Sequence, residues 1–288
     1  MTAIWLAPAK INLTLHVLGR RADGYHLLDS LVAFADIGDE LVAKPADTLS
    51  LGINGPFAKG LTVGEDNLVM RAARLLNHDA GRGAALTLTK NLPIASGIGG
   101  GSSGAATTLL ALAQLWNISA DWHGAKLTTA LGADVPVCLR RRPTRLQGIG
   151  ELLSDAPALP RCGVVLVNPG QPLSTPEVFR AFGGPMAPAP ALPTQFSELR
   201  DLIGYLKAGD NALTTAATSI VPAIADVLAA VRQQPACALA RLSGSGPTCF
   251  GVFPDRTRAA AAARTLAAQA PAWWVEHGEL KPIAAEPT

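Results

Sequence analysis

Hydrophobic and polar residues follow a short, strand-like spacing in three stretches of the N-terminal half. Residues 11–19 (INLTLHVLG) and 84–89 (AALTLT) alternate between apolar and polar with a period of two. Residues 29–44 (DSLVAFADIGDELVAK) have a similar strand-like pattern. A period of two is typical of a β-strand with one buried face. We therefore expect strands in all three stretches, with Gly38 breaking the longest of them.

A helical spacing is found where apolar residues recur every three or four positions. In EDNLVMRAARLLNH the helical stripe consists of four residues, Leu68, Ala72, Leu75 and Leu76. Asp66 or Asn67 is predicted to cap this helix, because either side chain can accept a main-chain N–H. Further helices are expected over AATTLLALAQLW, which starts at Ala105, and over WHGAKLTTAL, which is followed by a C-terminal cap at Gly132.

The C-terminal half continues the alternation of elements. The short apolar runs VPVCL (135–139) and GVVLVNPG (163–170) are predicted to be strands. The segment CALARLSGSGPTCFGVF (237–253) indicates two strands joined by a glycine-serine turn. Helices are expected over three further ranges, 196–207, 221–233 and 258–269. Residues 183–194 are dense in proline, so they can continue neither helix nor sheet and form an excursion.

The length and the order of the elements predict the domain organisation. A chain of 288 residues is long enough for two compact domains, and the most natural boundary is in SDAPALP, near residues 155–160. We therefore predict an N-terminal domain over 1–157 and a C-terminal domain over 158–288. The mixture of strands and helices indicates a mixed α/β (α+β) fold.

Composition and charge narrow the possible partners. Hydrophobic residues make up 49% of the chain and charged residues 16%, which excludes a disordered protein. The net charge is +2, with 24 basic and 22 acidic residues, so we expect no nucleic-acid partner. The one basic run, LRRRPTR (139–145), is predicted to be a solvated surface turn, with phosphate contact as the alternative.

The cysteines and the apolar runs indicate in which compartment of the cell the protein is expected. The four cysteines are far apart and form no CxxC pair: Cys138, Cys162, Cys237 and Cys249. Reduced, mostly buried thiols are expected, rather than disulfides or a structural zinc site. The start MTAIWLAPAKINL lacks the basic region of a signal peptide, and no apolar run is long enough to span a membrane. We expect a cytoplasmic protein without a membrane partner.

The segment from Pro93 to Gly104 (PIASGIGGGSSG) carries the most chemical information. It joins a predicted strand to a predicted helix and contains five glycines, Gly97, Gly99, Gly100, Gly101 and Gly104. Glycine lets successive N–H groups converge on one anion, and a helix N-terminus adds a partial positive charge. The serine hydroxyls of Ser102 and Ser103 could add donors or meet a magnesium ion. This segment is predicted to bind a triphosphate rather than to serve as a linker.

Two familiar phosphate loops do not fit this segment. No Gly-Lys-Ser/Thr follows the glycines, so the loop is not a Walker A loop. Gly99, Gly101 and Gly104 do match GxGxxG, the pattern of dinucleotide-binding folds. That pattern opens the first βαβ unit of such folds, whereas here some ninety residues precede it. We therefore reject an oxidoreductase that binds a nicotinamide cofactor.

Three blocks of the sequence together resemble the GHMP kinases. They are PAKINLTLHVLGRRADGYHLLDSL (8–31), PIASGIGGGSSGAATTLLAL (93–112) and RLSGSGPTCFGVF (241–253). The blocks EDNLV, GADVPVCL, GIGE and STPEVF are similar to the branch that phosphorylates the 2-hydroxyl of a cytidine diphosphate-linked polyol, in the non-mevalonate route to isoprenoid precursors. The resemblance implies an N-terminal ATP-loop domain and a ferredoxin-like C-terminal domain.

The resemblance also implies the catalytic and nucleotide-binding residues. Lys10 would be the catalytic lysine near the γ-phosphate, and Asp134 would accept the proton of the substrate hydroxyl. ATP, with Mg²⁺ bound to it, would be held by the glycine-rich segment and by two residues beside the adenine. The implied set is Pro93, Ile94, Ala95, Ser96, Gly97, Ile98, Gly99, Gly100, Gly101, Ser102, Ser103, Asn67 and Leu68. No protein-held metal site is expected.

The substrate residues implied by the resemblance include three aromatic rings. Tyr25 would stack on cytosine, His26 would bond its edge, and Phe179 would cover the opposite face, because every base has a π-face. The remaining implied contacts are Asn12, Thr175, Ser243 and Gly244, of which the last two lie in the SGSG turn. That turn either binds substrate phosphates or braces the ATP loop. For Asn67 and Leu68, an ordinary helix cap remains an alternative.

Some positions depart from the family pattern, and alternatives remain open. Ser96, Gly104 and Pro247 replace the family's usual residues, and GDNALTTAA keeps the usual Asn-Asp-Leu only in part, so Asn211 receives no role. A mevalonate-type or homoserine-type kinase is the runner-up. A nucleotide-binding module without catalysis is the alternative outside enzymes. The partner is expected to be a small molecule, and the protein a monomer or a weak homodimer.

Overall fold

The computed structural model describes residues 3–77, 81–118 and 130–286. Eleven strands lie within these residues: β1 Trp5–Asn12, β2 His16–Arg20, β3 His26–Ala46, β4 Leu49–Asn54, β5 Gly83–Thr89, β6 Thr144–Gly148, β7 Leu152–Asp155, β8 Cys162–Asn168, β9 Leu239–Leu242, β10 Cys249–Phe253 and β11 Trp274–Leu280. The described helices are α1 Leu68–Leu76, α2 Gly100–Leu115, α3 Val135–Arg140, α4 Thr175–Ala181, α5 Leu199–Ala208, α6 Thr214–Ile220, α7 Ala223–Arg232 and α8 Arg256–Gln269.

The long strand β3 organises the N-terminal half. It pairs antiparallel with β1, β2, β5 and β6, and β4 adds to β5 in parallel. Its residues alternate between two faces, as the period of a strand requires. Val32 and Phe34 pack towards α2 and α3, whereas Leu31 and Ala33 pack in a second core towards α5.

The C-terminal half has the predicted ferredoxin-like arrangement. Its strands and helices follow the order β8, α7, β9, β10, α8, β11, with additional helices between β8 and α7. In the sheet the strands lie in the order β11-β8-β10-β9, and all neighbours are antiparallel. This βαββαβ order confirms the mixed α/β class and the C-terminal architecture.

The two halves meet along one sheet. Leu280 at the end of β11 pairs with Ala35 of β3. Leu15 and Val17, from the N-terminal half, are buried in a core with Val165 and the helices α6, α7 and α8. Because both sheet and core are shared, the division at residue 157 stays a prediction.

Most predicted elements are found close to their expected positions, and three predictions were wrong. VPVCL is the short helix α3, because Pro136 is tolerated in a first turn and its five apolar residues suit either element. Gly38 does not break β3, which runs through it. The stretch 11–19 is divided between β1 and β2. The helix predicted over WHGAKLTTAL lies largely outside the described residues.

The basic run 139–145 is not a solvated turn throughout. Arg140 and Arg142 do pair with Asp155 near the surface. Arg141, however, is only 2% exposed. Arg145 binds the buried carboxylate of Asp29 through Nε at 3.0 Å and through Nη2 at 2.5 Å. The prediction is therefore wrong for Arg141 and Arg145, whose charges are used inside the fold.

Among the described residues no helix combines the length and the apolar character that crossing a membrane requires.

Gly38 provides a test of the fold. A Cβ at this position would lie 2.3 Å from the carbonyl oxygen of Ala7 on β1. We expect Gly38→Ala to lower the free energy of unfolding by about 1–3 kcal/mol, because main chain would have to shift. Urea unfolding followed by circular dichroism measures this change.

Gly204 in α5 supplies the matched control. A Cβ there would meet no atom within 4 Å. Gly204→Ala should therefore raise the free energy of unfolding by about 0.5–1 kcal/mol, the helix-interior gain of alanine over glycine. Equal effects of the two substitutions would contradict the close approach of β1 to β3 at Gly38.

Candidate active site

Lys10 and Asp134 are brought together by two different elements. Lys10 lies on β1 just after a shift in the pairing with β3, and its main-chain N–H donates to the carbonyl of Ile98 at 2.9 Å. Asp134 precedes α3, so it begins a helix rather than standing at the mouth of a strand. The Lys10 ammonium Nζ is 2.8 Å from the Asp134 carboxylate Oδ2. The proximity that both predicted roles require is therefore present.

Burial differs between the two partners of this ion pair. The Lys10 side chain is 6% exposed, and the Asp134 side chain is 38% exposed. The Lys10 ammonium is thus held inside the protein, whereas the Asp134 carboxylate stays accessible from the surface. The pair offers a cation and a proton acceptor at one point of the surface.

The glycine-rich segment lies directly above Lys10. Ala95, Gly97 and Gly99 all have positive φ, with values of 50°, 74° and 67°. Left-handed residues alternating with others turn main-chain N–H groups towards one side, which creates an anion-binding concavity. The helix α2 then starts at Gly100, and its sixteen residues direct their positive end at the same place. The interpretation as a linker is therefore wrong.

Two of the glycines are needed for close packing. A Cβ on Gly97 would lie 2.6 Å from the carbonyl oxygens of Ser243 and Gly246. A Cβ on Gly99 would lie 3.1 Å from Cβ and 3.3 Å from Cε of Lys10. The loop can rest on β1 and on the SGSG turn only because these positions lack a side chain.

A cleft of about 640 Å³ connects the predicted site residues. The predicted residues that line it are Lys10, Asn12, Leu68, 93–97, 99–102, Asp134, Thr175, Phe179 and Gly244. A larger cavity of about 1350 Å³ lies between α5, α6 and β9, but neither Lys10, Asp134 nor the glycine loop lines it. The smaller cleft is therefore the candidate active site.

Some predicted nucleotide contacts are not in the cleft. Ile98 and Ser103 are fully buried, and the Ser103 hydroxyl has no hydrogen-bond partner among the described residues. The Asn67 side chain caps α1 by accepting from the N–H of Val69 at 2.9 Å, and it donates to the carbonyl of Thr62 at 2.8 Å. The helix-cap alternative thus accounts for the Asn67 side chain, whereas Leu68 lines the cleft.

The SGSG turn braces the glycine loop. The Ser243 hydroxyl accepts from the N–H of Asn12 and donates to the carbonyl of Gly97, both at 3.2 Å. Thr175 at the start of α4 bonds Ser245 at 2.7 Å. Since Ser243 is completely buried, its side chain supports the bracing alternative, while Gly244 faces the cleft.

Asn211, which the sequence left without a role, holds this turn in place. Its Nδ2 donates to the carbonyls of Leu242 and Gly244, both at 2.8 Å. Its Oδ1 accepts from the N–H of Leu213 at 3.0 Å. The sequence signal was the partial match of GDNALTTAA to the family pattern, so the role depends on contacts that the sequence does not show.

Asn12 presents an unused acceptor to the cleft. Its Nδ2 donates to the Ser30 hydroxyl at 2.8 Å, so the amide orientation is set. Its Oδ1 is buried and has no partner among the described residues. A buried acceptor without a partner is costly, and a substrate hydroxyl would satisfy it.

The aromatic residues form a small cluster beside the cleft. The rings of His26 and Phe179 stack with centroids 5.2 Å apart and planes 26° apart, and Phe182 meets His26 edge-on. Tyr25 lies in the turn between β2 and β3 and is 61% exposed. Burial, with the nearby Arg20, lowers the pKa of His26 below its ordinary value. The imidazole is therefore neutral at pH 7 and can both donate and accept.

A buried ion pair beneath the glycine loop was not predicted. Lys90 Nζ is 2.6 Å from Asp39 Oδ2, and Asp39 Oδ1 accepts from the N–H groups of Asn91 and Leu92. Burial raises the pKa of Asp39, and Lys90 opposes that shift. A Cβ on Gly100 would lie 3.2 Å from Lys90 Nζ, so this cation stands at the start of α2. A lone lysine after a strand carried no signal in the sequence.

Comparison with known proteins identifies the class. The GHMP kinase N-terminal domain model matches residues 67–142, and the GHMP kinase C-terminal model matches residues 190–272. A crystal structure of homoserine kinase from Cytophaga hutchinsonii shares the fold, with a TM-score of 0.72 at 15% identity. The fold and the site thus define an ATP-dependent phosphotransferase of the GHMP kinase class.

Closer relatives identify the branch within this class. A 4-diphosphocytidyl-2-C-methyl-D-erythritol kinase of Paramagnetospirillum magneticum is 50% identical, covering 95% of this chain and 97% of the relative. The enzyme of that name from Paracoccus denitrificans is 52% identical over 96% of both chains. A crystal structure of 4-(cytidine 5'-diphospho)-2C-methyl-D-erythritol kinase matches with a TM-score of 0.78 at 34% identity, covering 96% of this chain and 99% of that chain. The chain belongs to the 4-diphosphocytidyl-2-C-methyl-D-erythritol kinases, which confirms the resemblance.

Gly99 provides a test of the site geometry. Gly99→Ala would place a side chain in the left-handed region, at a cost of about 1–2 kcal/mol, and against Lys10. We expect kcat to fall by about tenfold or more, since each 1.36 kcal/mol is a factor of ten in rate. Steady-state kinetics with ATP measure this change.

Gly104 on α2 is the control for this substitution. A Cβ there would make an ordinary contact, 3.5 Å from Val69 Cγ2, in a helical backbone. Gly104→Ala should keep the kcat of the unsubstituted enzyme. A Gly99→Ala enzyme with full kcat would contradict the packing of the loop on Lys10.

Proposed function

We propose that this chain transfers the γ-phosphoryl group of ATP to the 2-hydroxyl of 4-diphosphocytidyl-2-C-methyl-D-erythritol, a step of the non-mevalonate route to isoprenoid precursors. The observation that carries the proposal is the Lys10–Asp134 ion pair, 2.8 Å long, in the cleft that the glycine loop and Phe179 also line. A phosphate-binding loop, a cation and a carboxylate then face one another where the reacting groups must meet.

Asp134 and Lys10 have complementary roles in the transfer. The Asp134 carboxylate accepts the proton of the substrate hydroxyl while that oxygen bonds to the γ-phosphorus. The bond between the γ-phosphorus and the bridging oxygen breaks, and ADP leaves. Lys10 stabilises the negative charge on the attacking oxygen and on the transferred group. Because the transition state is loose, positioning contributes more than strong base catalysis.

The glycine loop accounts for the phosphate end of ATP. Main-chain N–H groups of the loop residues that line the cleft, Gly97 and 99–102, and the N-terminus of α2 provide donors to the polyphosphate. Leu61 and Leu68 line the cleft on the side of α1 and give an apolar surface that suits the adenine. ATP thus needs no Walker lysine in this site.

Mg²⁺ fits the donors of this cleft when it arrives with the nucleotide. Among the described residues no group of three or more His, Cys, Asp or Glu side chains could hold a metal by itself. Ser102 lines the cleft, and only Oδ2 of Asp134 is bonded to Lys10. Mg²⁺ needs few protein ligands beyond phosphate oxygens and water, so Ser102 and Asp134 would hold it, and it would neutralise phosphate charge.

The aromatic cluster accounts for the cytidine end of the substrate. Phe179 lines the cleft and offers a face for stacking, while the neutral His26 can bond the edge of cytosine. Tyr25, in the exposed turn just before His26, would cover the other face of the cytosine ring. Asn12, with its unpaired Oδ1, would accept from a polyol hydroxyl.

The setting of the enzyme is part of the proposal. We infer a cytoplasmic enzyme that acts on a small molecule as a monomer or a weak homodimer, without a nucleic-acid partner. The near-neutral charge of the chain supports this, because a nucleic-acid surface needs a basic patch. The domains at 1–157 and 158–288 would then complete the cleft from both sides.

The proposal is tested by ADP release with candidate substrates. We expect turnover with 4-diphosphocytidyl-2-C-methyl-D-erythritol and none with mevalonate or homoserine. Lys10→Ala and Asp134→Asn should each lower kcat by about 10²–10⁴-fold, because each removes a group that acts in the transition state. The exposed Lys44→Ala and Asp47→Asn are matched controls and should leave kcat unchanged. Equal turnover of the three substrates, or full activity of both site variants, would refute the proposal.

The pH dependence of substrate binding tests the role of His26. The pKa of His26 lies below the ordinary value of about 6.5, so the neutral imidazole dominates at pH 7 and above. We expect KM for the cytidylyl substrate to be constant above pH 7 and to rise at lower pH, where the imidazole becomes protonated. His26→Gln should remove this rise, and the matched His277→Gln should keep it. An unchanged profile in His26→Gln would exclude the role.

A further inference from the structure

Arg141 joins three segments of the protein. It follows α3 directly, in a left-handed conformation with φ 51°. Its Nη2 donates to the Thr107 hydroxyl of α2 at 2.6 Å, and its Nη1 donates to the carbonyl of Ala284 at 3.0 Å. Its own carbonyl accepts from the N–H of Ile283 at 2.9 Å. One side chain and its peptide group therefore connect α3, α2 and the C-terminal segment.

This arrangement is unfavourable for the arginine itself. Arg141 is 2% exposed, and no carboxylate in the described parts of the chain forms an ion pair with it. Its Nε is buried and has no hydrogen-bond partner within the described residues, and burial lowers the pKa of Arg141 to about 10. An unpaired buried cation and a left-handed non-glycine residue both cost stability. The contacts that Arg141 makes with α2 and the C-terminal segment must therefore provide a benefit that offsets these costs.

The short helix α3 depends on such connections. It has six residues, fewer than a helix needs to persist by itself. The Asp134 side chain does not cap it, since its bond is to Lys10. Val135, Val137 and Cys138 are buried against α2. The position of the Asp134 carboxylate therefore depends on how the far end of α3 is fixed, and Arg141 is that end.

The C-terminal segment is fixed independently on its other side. We call residues 281–286 the C-terminal clasp. The N–H of Lys281 donates to the carbonyl of Phe34 at 3.0 Å, and its ammonium is 3.0 Å from Asp36 on β3. Ile283 packs against the apolar cluster that holds α2 and α3. The clasp thus gives Arg141 an anchor that belongs to the central sheet.

We propose that Arg141 is a positioning residue for Asp134, and that it acts by fastening α3 to α2 and to the C-terminal clasp. The side chain touches neither substrate nor nucleotide, so it acts through the placement of the carboxylate. The glycine loop begins α2, and Thr107 lies two turns further along the same helix. Arg141 therefore sets the distance between the proton acceptor and the phosphate-binding loop. This inference rests on the proposed role of Asp134.

Arg141→Met tests the proposal by separating kcat from nucleotide binding. We expect kcat to fall by about 10- to 100-fold, since a displacement of about 1 Å can cost that much. Binding of ADP should stay the same, because the glycine loop is retained. Arg142→Met is the matched control in the same run; its side chain is 55% exposed and should leave kcat unchanged. A wild-type kcat in Arg141→Met, or an equal loss in Arg142→Met, would overturn the proposal.

Removal of residues 282–288 tests the clasp. We expect kcat to fall, and the truncated Arg141→Met chain should lose less than the two single changes would lose together, because both changes remove the bond between Arg141 and Ala284. Fully additive losses would contradict the connection. Should Arg141→Met not fold, Thr107→Val carries the test with the same kcat criterion. Asp134→Asn distinguishes the two hypotheses. An Asp134→Asn enzyme with full activity would contradict the proposed function. A loss of activity in Asp134→Asn together with full activity in Arg141→Met would contradict only the role of Arg141.

Discussion

The close contact of three main-chain segments around Lys10 is the constraint on which the site depends. The glycine loop lies so close to β1 and the SGSG turn that a Cβ would clash with main-chain oxygens at Gly97 and would press on the Lys10 side chain at Gly99. The Lys10 N–H in turn donates to the carbonyl of Ile98 in the loop. This contact sets the lysine under the phosphate-binding surface, and the ion pair with Asp134 then places the carboxylate. In a Walker loop the lysine is part of the glycine-rich segment itself. Here the glycine loop and Lys10 come from different parts of the chain, and the fold brings them together.

Buried charges surround this contact, and each one supports a different element. Lys90 and Asp39 hold the entry to the glycine loop, Arg145 and Asp29 join β6 to β3, and Arg141 joins α3 to α2. Burial of charge is unfavourable unless hydrogen bonds compensate it. Asp39 and Asp29 receive at least three donors each, so their cost is offset within the fold. Arg141 has hydrogen bonds to Thr107 and Ala284 but no carboxylate partner among the described residues, which is why its connections suggest a role in the active site.

Sequence reasoning succeeded where a residue type has a local physical consequence. The glycines, the apolar helix behind them and the SGSG turn were placed correctly, because main-chain freedom and helical spacing are properties of short segments. It failed for VPVCL, where five apolar residues fit strand or helix equally, and for Gly38, which serves packing against Ala7 rather than a chain break. The basic run was misjudged for a related reason, because burial of Arg141 depends on segments far along the chain.

The sequence alone determined the class of fold and the position of the glycine-rich loop, because glycine content and apolar spacing are properties of short segments. The resemblance implied Lys10 and Asp134 as the catalytic pair, and their roles stay a proposal. Only the tertiary structure decided which residues support them. Asn211, Lys90 and Arg141 gained roles from partners 31 to 143 positions away, as in the contacts of Asn211 with Leu242 and of Arg141 with Ala284. Such contacts arise when the chain closes on itself, and no short segment of the sequence carries a physical trace of them.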